Sequence, residues 1–277
     1  MTASTVPTLI LRNDVTIPAL GMGTWPMDDA EVADAVQTAL GIGYRLIDTA
    51  ENYGNERGVG EGLRRSSVDR GEVFLTTKLN ERWHSYDGAR QAFENSAERL
   101  GVDYIDLLMI HWPRPVAGGF TDAMRGLAAL REEGLVRAVG ASNFTPAHLQ
   151  AVIDAGVVPE VNQIRRDPYN PQHEALAFHA EHDIVTESYS PIGRAGKLLG
   201  EPVIADIART HERTPAQVVL RWHTQTQALP IPKSGDPDRL VENFTIFDFE
   251  LTAEELDQIA ALDAGDPDVP DSEVAGH

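Results

Sequence analysis

Short apolar runs alternate with amphipathic stretches along almost the whole of this chain. Residues 19–23, 45–48, 74–78, 105–111, 136–142, 160–163, 184–189 and 229–232 read as strands, each a brief run bounded by turn-forming residues. Helical spacing fills the gaps. Over 30–40, Val32, Val36, Ala39 and Leu40 fall on one face. Residues 86–100, 122–133, 146–155, 171–182 and 202–209 behave likewise, and 214–224 opens on Thr-Pro, which puts Pro at the first helical position. Ahead of the first strand, 9–11 and 15–17 read as a hairpin turning at Asn13-Asp14.

Strand-then-helix repetition implies a parallel sheet. Eight such units in 277 residues point to closure into an α/β barrel, which takes about 250 residues by itself. One barrel domain over 1–277 is therefore expected, with 263–277 as an acidic C-terminal loop or tail. Residues 263–273 hold five acids among Pro, Gly and small residues, and a solvated end is expected there. The segment Gly21–Thr24 reads GMGT, which is not the G-x-G-x-x-G dinucleotide fingerprint.

Composition narrows the function. The chain carries 23 basic and 43 acidic residues, a net charge of -20, which disfavours nucleic acid and anionic membranes as partners. It has no cysteine, so thiolate metal sites and Cys nucleophiles are excluded. No apolar run approaches the roughly 18 residues of a membrane span, and the first residues lack a secretory leader's basic start. A cytoplasmic protein is expected. Only three basic residues are lysines, Lys78, Lys197 and Lys233, so each requires an explanation.

Functional residues of parallel barrels gather at the C-terminal ends of strands. There this chain places Asp48, Lys78, His111 and the pair Asn162–Gln163, with Tyr53 in the loop after Asp48. All are expected to face one mouth. Taken singly, each has a structural explanation: a turn aspartate, a packed tyrosine, a solvated lysine. Together they make a proton relay. A phenol titrates near about 10, too high for ready proton exchange at neutral pH, and a neighbouring cation lowers that value. Lys78 supplies the cation, Asp48 holds it, and His111 orients a carbonyl beside Tyr53. Such a relay moves protons and no electrons, so a hydride donor is needed.

The segments GMGTW, GYRLIDTAENYGNE, LTTKLN, IDLLMIHWP, VRAVGASNF, PEVNQI, ESYSPIG and IPKSG…RLVENFTIFDFELT resemble the aldo-keto reductase family over nearly the whole chain. They look most like its bacterial members of the 2,5-diketo-D-gluconic acid reductase kind. The resemblance implies a (β/α)8 barrel with a hairpin closing its bottom, NADPH as cofactor, and carbonyl reduction. It implies Asp48, Tyr53, Lys78 and His111 as the catalytic tetrad. Ser142, Asn143 and Gln163 would hold the nicotinamide amide, and Tyr189 would stack on its ring. Ser190, Pro191, Ile192 and Gly193 would wrap the pyrophosphate, assisted by Arg194 and Lys197. Lys233 and Ser234 would reach the 2′-phosphate, Arg239 would pack on the adenine or its phosphate, and Glu242 and Asn243 would bind the adenine edge. A dianionic phosphate needs cations, which favours NADPH over NADH. Gly23 and Thr24 join the cofactor residues. Trp25 and Trp112 would line the substrate pocket with His111, and Trp83 and His84 are candidates for a further wall.

The chain departs from the family after strand six, where NQIRRDP at 162–168 replaces NQIE-x-HP. Arg165 or Arg166 could draw an anionic substrate, but pairing with Asp167 is the favoured expectation. Two other readings compete with a monomeric carbonyl reductase that binds no metal. One is an NADPH-binding redox sensor, for which no appended interaction segment is seen. The other is a barrel metallohydrolase, for which no H-x-H pair exists; His148, His173, His179, His182, His211 and His223 fall on expected helices.

Overall fold

The structure, a computed structural model, describes residues 6–193, 196–265 and 270–275. The chain opens with an antiparallel hairpin, β1 (Thr8–Ile10) and β2 (Thr16–Pro18). Among the described residues, eight parallel strands then pair in sequential order. These are β3 (Met22–Gly23), β4 (Leu46–Asp48), β5 (Phe74–Leu79), β6 (Ile105–Ile110), β7 (Val136–Ser142), β8 (Val161–Arg165), β9 (Val185–Tyr189) and β10 (Ala228–Ile231). The two edges meet. The N–H groups of Gly21 and Gly23 donate to the carbonyls of Pro230 and Pro232, both at 3.1 Å, and Gly23 bridges Lys233. A Cβ at Gly21 would lie 2.7 Å from Ile231 Cγ2, so glycine lets the seam close.

The expected helices are present with shifted ends: α1 (Asp29–Ile42), α3 (Tyr86–Leu100), α4 (Phe120–Glu132), α5 (Pro146–Asp154), α6 (His173–Glu181), α7 (Pro202–Thr210) and α8 (Pro215–Gln225). Three more were not legible from periodicity: α2 (Glu56–Arg65), α9 (Pro237–Phe244) and α10 (Ala253–Ala260). Starts are chemically marked. Asp28, Thr145, Thr214 and Thr252 form capping boxes, and α5, α7, α8 and α9 carry Pro in the first turn. No helix among the described residues is long and apolar enough to cross a membrane.

Alternation along the strands sorts side chains into two cores. Ile47, Leu75, Leu108, Ile110 and Val139 face outward onto Val36, Leu40, Phe93 and Leu127 of the helices. Leu46, Phe74, Leu107, Met109, Val161 and Leu229 fill the barrel, joined by Leu11 and Ile17 from the hairpin. Asn13, at the hairpin turn, donates to the Arg137 carbonyl near the start of β7 (2.9 Å). The hairpin thus closes the N-terminal end and leaves the C-terminal end open.

Candidate active site

At the open end lies a cavity of about 270 Å³. The period of two that fills the barrel with leucines lower down brings polar side chains inward near the strand ends. Asp48 follows Leu46, Lys78 follows Phe74 and Thr76, Gln163 follows Val161, and Tyr189 follows Glu187. Tyr53 comes from a short 3-10 turn, Glu51–Tyr53, after β4, and His111 directly follows β6.

Lys78 is wholly buried, and its three N–H bonds are all directed. Nζ donates to Asp48 Oδ1 and Oδ2 (2.7 and 2.8 Å), to the Thr49 carbonyl (2.9 Å) and, at 3.5 Å, to the Tyr53 hydroxyl. The His111 ring meets the Tyr53 ring edge-on, 5.7 Å between centroids. Tyr53 and His111 both line the cavity. Burial by itself would lower Lys78, but the adjacent Asp48 and Tyr53 outweigh it and hold the ammonium above its ordinary value. Burial lifts Asp48, against the pull of Lys78 and its hydrogen bonds. Tyr53 corrects a sequence expectation. Its phenol stands above, not below, its ordinary value, because burial exceeds the downward pull of Lys78 and Asp48 adds to the rise. Tyr53 therefore rests as a protonated phenol beside a cation that would stabilise a phenolate at that position.

Gly23, Thr24, Ser142, Asn143, Gln163, Tyr189, Ser190 and Lys233 also line the cavity. Both N–H bonds of Gln163 Nε2 are taken, by Asp48 Oδ2 (2.8 Å) and Glu187 Oε2 (2.9 Å), which leaves the amide carbonyl as its accepting end. Asn143 is more committed than expected. Its Nδ2 donates to the His111 carbonyl and Ser142 Oγ, and its Oδ1 accepts from the Tyr189 hydroxyl (2.8 Å). Ser190, at φ 50°, starts the turn to Gly193, and the Pro191 carbonyl lies 2.9 Å from His223 Nε2. Ile192 packs against the outer core. An amide acceptor, a hydroxyl, an aromatic ring and one cation around a single cleft suit a carboxamide-bearing ring joined to phosphates, so the donor set fits NADPH.

The remaining predicted residues spread outward. Ser234, in the loop after β10, accepts from the Asp236 N–H (3.1 Å). Arg239 is exposed in the first turn of α9, Glu242 accepts from the Thr214 hydroxyl (2.6 Å), and Asn243 is buried on the same helix. Lys197 is not among the cavity residues; its ammonium lies 5.3 Å over the Tyr169 ring. Arg194 lies outside the described residues. Trp25, 55 % exposed, and Trp112 flank the cavity. Trp83 and His84 do not line it; the Trp83 indole donates to Glu51.

Two neighbours separate where the sequence read them as a pair. Gln163 points inward, so Asn162 must point outward, where it donates to the Phe144 carbonyl and lies 2.9 Å from His179 Nε2. Arg166 is buried away from the mouth. It donates to the Pro171 carbonyl and Thr226 and stacks on Trp222 at 4.0 Å, with His223 Nδ1 at 3.0 Å and the charge of Asp167 acting on it.

Three residues were missed. Asn52 lines the cavity beside Tyr53 and accepts from Asn80 Nδ2 (2.9 Å). Its position directly before Tyr53 was the available signal. Glu187 was findable as the inward residue two before Tyr189. Pro270 also lines the cavity, and the segment after it packs down: His148 Nε2 meets Glu273 at 2.9 Å, and Arg114 donates to the Val274 carbonyl (3.0 Å). The described part of the acidic C-terminus is docked at the mouth rather than wholly solvated.

Comparison with known proteins gives a consistent picture. The sequence pattern of the Aldo/keto reductase family matches residues 19–264. The chain is 46% identical over 269 residues to 2,5-diketo-D-gluconic acid reductase B of Corynebacterium sp. (strain SHS752001), covering 95% of this chain and 97% of that one. It is 43% identical over 274 residues to methylglyoxal reductase DkgA of Escherichia coli (strain K12), covering 98% of each. A crystal structure of a Gox0644 variant in complex with NADPH superposes with a TM-score of 0.93 at 40% identity, over 99% of this chain and all of the other.

Proposed function

The chain belongs to the aldo/keto reductase family, and from that premise we propose that it reduces small aldehydes and ketones to alcohols with NADPH, Tyr53 giving the proton. The observation that carries the reading is the Tyr53 hydroxyl 3.5 Å from a buried Lys78 ammonium that is itself clamped by Asp48 at 2.7 Å. When bound, NADPH supplies the hydride that the carbonyl carbon receives. The chain's own groups do the rest. His111 and Tyr53 meet the carbonyl oxygen at the cavity floor and orient it. The Tyr53 O–H bond breaks as the new alcohol O–H forms. The phenolate that remains is stabilised by the Lys78 cation, and Asp48 keeps that cation in place. Gln163, Ser142 and Tyr189 would hold the nicotinamide end, the Ser190–Gly193 turn the pyrophosphate, and Lys233 and Arg239 the 2′-phosphate side.

The substrate reading is a small carbonyl compound, taken by a monomer in the cytoplasm. Trp25 and Trp112 give the mouth an aromatic rim, and Asn52 adds an amide beside Tyr53. Such a mouth suits short polar carbonyls, the chemistry named in the Corynebacterium and Escherichia coli relatives. The test is the loss of NADPH absorbance with methylglyoxal, 2,5-diketo-D-gluconate and an aromatic aldehyde. Turnover with at least one is expected. Tight NADPH binding without turnover across the panel would overturn the reading in favour of a binding subunit.

A further inference from the structure

A second carboxyl sits inside the barrel beside the Asp48–Lys78 pair. Glu187 faces inward from β9, fully buried, two residues before Tyr189. Its Oε2 accepts one N–H of Gln163 (2.9 Å), while the other N–H of the same nitrogen goes to Asp48 (2.8 Å). Its Oε1 is buried with no hydrogen-bond partner among the described residues. On its β10 side the residue opposite is Leu229, which is apolar. The polar and charged groups that reach Glu187 are therefore Gln163 from β8, Asp48 from β4 and Lys78 from β5, with Tyr53 sensing it from the loop above.

We propose that Glu187 is a positioning residue for the reduction, a buried carboxyl that aims the Gln163 amide at the nicotinamide and sets the charge beneath Tyr53. This rests on the reading above, in which Tyr53 gives the proton and Gln163 meets the cofactor.

The first half follows from hydrogen-bond direction. The two ends of an amide have nearly the same shape, so its partners decide which end faces where. Two acceptors, Asp48 and Glu187, claim both N–H bonds of Gln163. The carbonyl end is then the one offered to the cleft, where a carboxamide NH2 needs an acceptor. Without Glu187 one N–H is released, and the amide loses half of what prevents it from turning over.

The second half follows from charge. Asp48 and Lys78 already balance. A further carboxylate in the same dry interior would be uncompensated, and one of its oxygens has nothing to bond. Burial, and then the like charge of Asp48, push Glu187 up to about 8, against the pull of Gln163 and Lys78. Glu187 thus keeps its proton at neutral pH and loses it as pH passes about 8. Once ionised it raises the Tyr53 phenol further. Reduction needs the phenol protonated, whereas alcohol oxidation needs the phenolate. Ionised Glu187 therefore favours reduction and delays the alkaline rise of oxidation.

Two variants separate the halves. Glu187→Gln keeps the size and the acceptor but carries no charge; Glu187→Ala removes both. Binding of NADPH and of 2′,5′-ADP, which lacks the nicotinamide, is read from tryptophan fluorescence, and NADP+-dependent alcohol oxidation is followed against pH. The Ala variant is expected to bind NADPH about tenfold more weakly and 2′,5′-ADP as before. In the Gln variant the alkaline limb of oxidation is expected to move down by roughly one pH unit. The proposal is overturned if the Gln profile superimposes on that of the unaltered protein, a result that decides even where the Ala variant does not fold. It is equally overturned if the Ala variant weakens both ligands alike, which would mark a merely structural role. Failure of the underlying reading looks different: the unaltered protein would show no NADPH-linked turnover at all.

Discussion

Lys78 shows how much one side chain carries. A lysine this deep keeps its charge only because carboxylate, carbonyl and phenol oxygens stand around Nζ at 2.7 to 3.5 Å. Lys78→Met is expected to leave Asp48 uncompensated and to cost about 3–5 kcal/mol of stability, read from urea unfolding at pH 7. A loss below about 1 kcal/mol would place Asp48 in a wetter setting than its burial implies. At this scale the sequence was legible where chemistry was rare. Three lysines in 277 residues drew attention to Lys78. It was less legible where a shift depends on burial. Residue types correctly suggested that a cation beside Tyr53 pulls its phenol down, but they contain no measure of the desolvation that pulls it up more strongly.

Among the elements, α2 is the instructive omission. Its sequence, ERGVGEGLRR, has too few apolar residues to show a stripe, since glycines hold the contact positions. The contacts explain them. A Cβ at Gly58 would lie 2.2 Å from the Asp29 carbonyl oxygen, and one at Gly60 would lie 2.2 Å from that of Leu100. The helix is wedged between α1 and α3 at backbone distance. Gly60→Ala is therefore expected to destabilise by about 1–3 kcal/mol through overpacking. Gly41→Ala in α1, where a Cβ meets nothing within 4 Å, is expected to stabilise by about 0.4–1 kcal/mol. Melting temperatures moving in the same direction for both would contradict this packing account. The strands were easier to read because each is buried on both faces, which produces continuous apolar runs. Within them alternation still governs direction, and this is why Asn162 and Gln163 part company. The packing of the C-terminal segment depends on His148 and Arg114, more than a hundred residues earlier in the chain, and no local pattern announces contacts at that separation.

For the whole molecule, the charge of -20 and an anionic cofactor are reconciled by placement. Two of the three lysines lie at the proposed site: Lys78 beneath it and Lys233 on its wall. Lys197 does not join them, lying over Tyr169 instead. On the proposed reading the cationic field toward the cofactor is local, supplied by Lys233 on the cavity wall and by the exposed Arg239, while acids dominate the rest of the chain. The barrel supplies the frame: strands β4, β5, β6 and β8 deliver Asp48, Lys78, His111 and Gln163 to one end, and the hairpin seals the other. Everything in this assembly converges on Tyr53 as the proposed proton donor. The most direct measurement compares NADPH oxidation by the unaltered protein and by Tyr53→Phe with one carbonyl substrate, alongside NADPH binding to each. The Phe variant is expected to bind NADPH within about twofold of the unaltered protein and to lose about a hundredfold to ten-thousandfold in kcat. Turnover of the Phe variant within about tenfold of the unaltered protein, at intact binding, would contradict it.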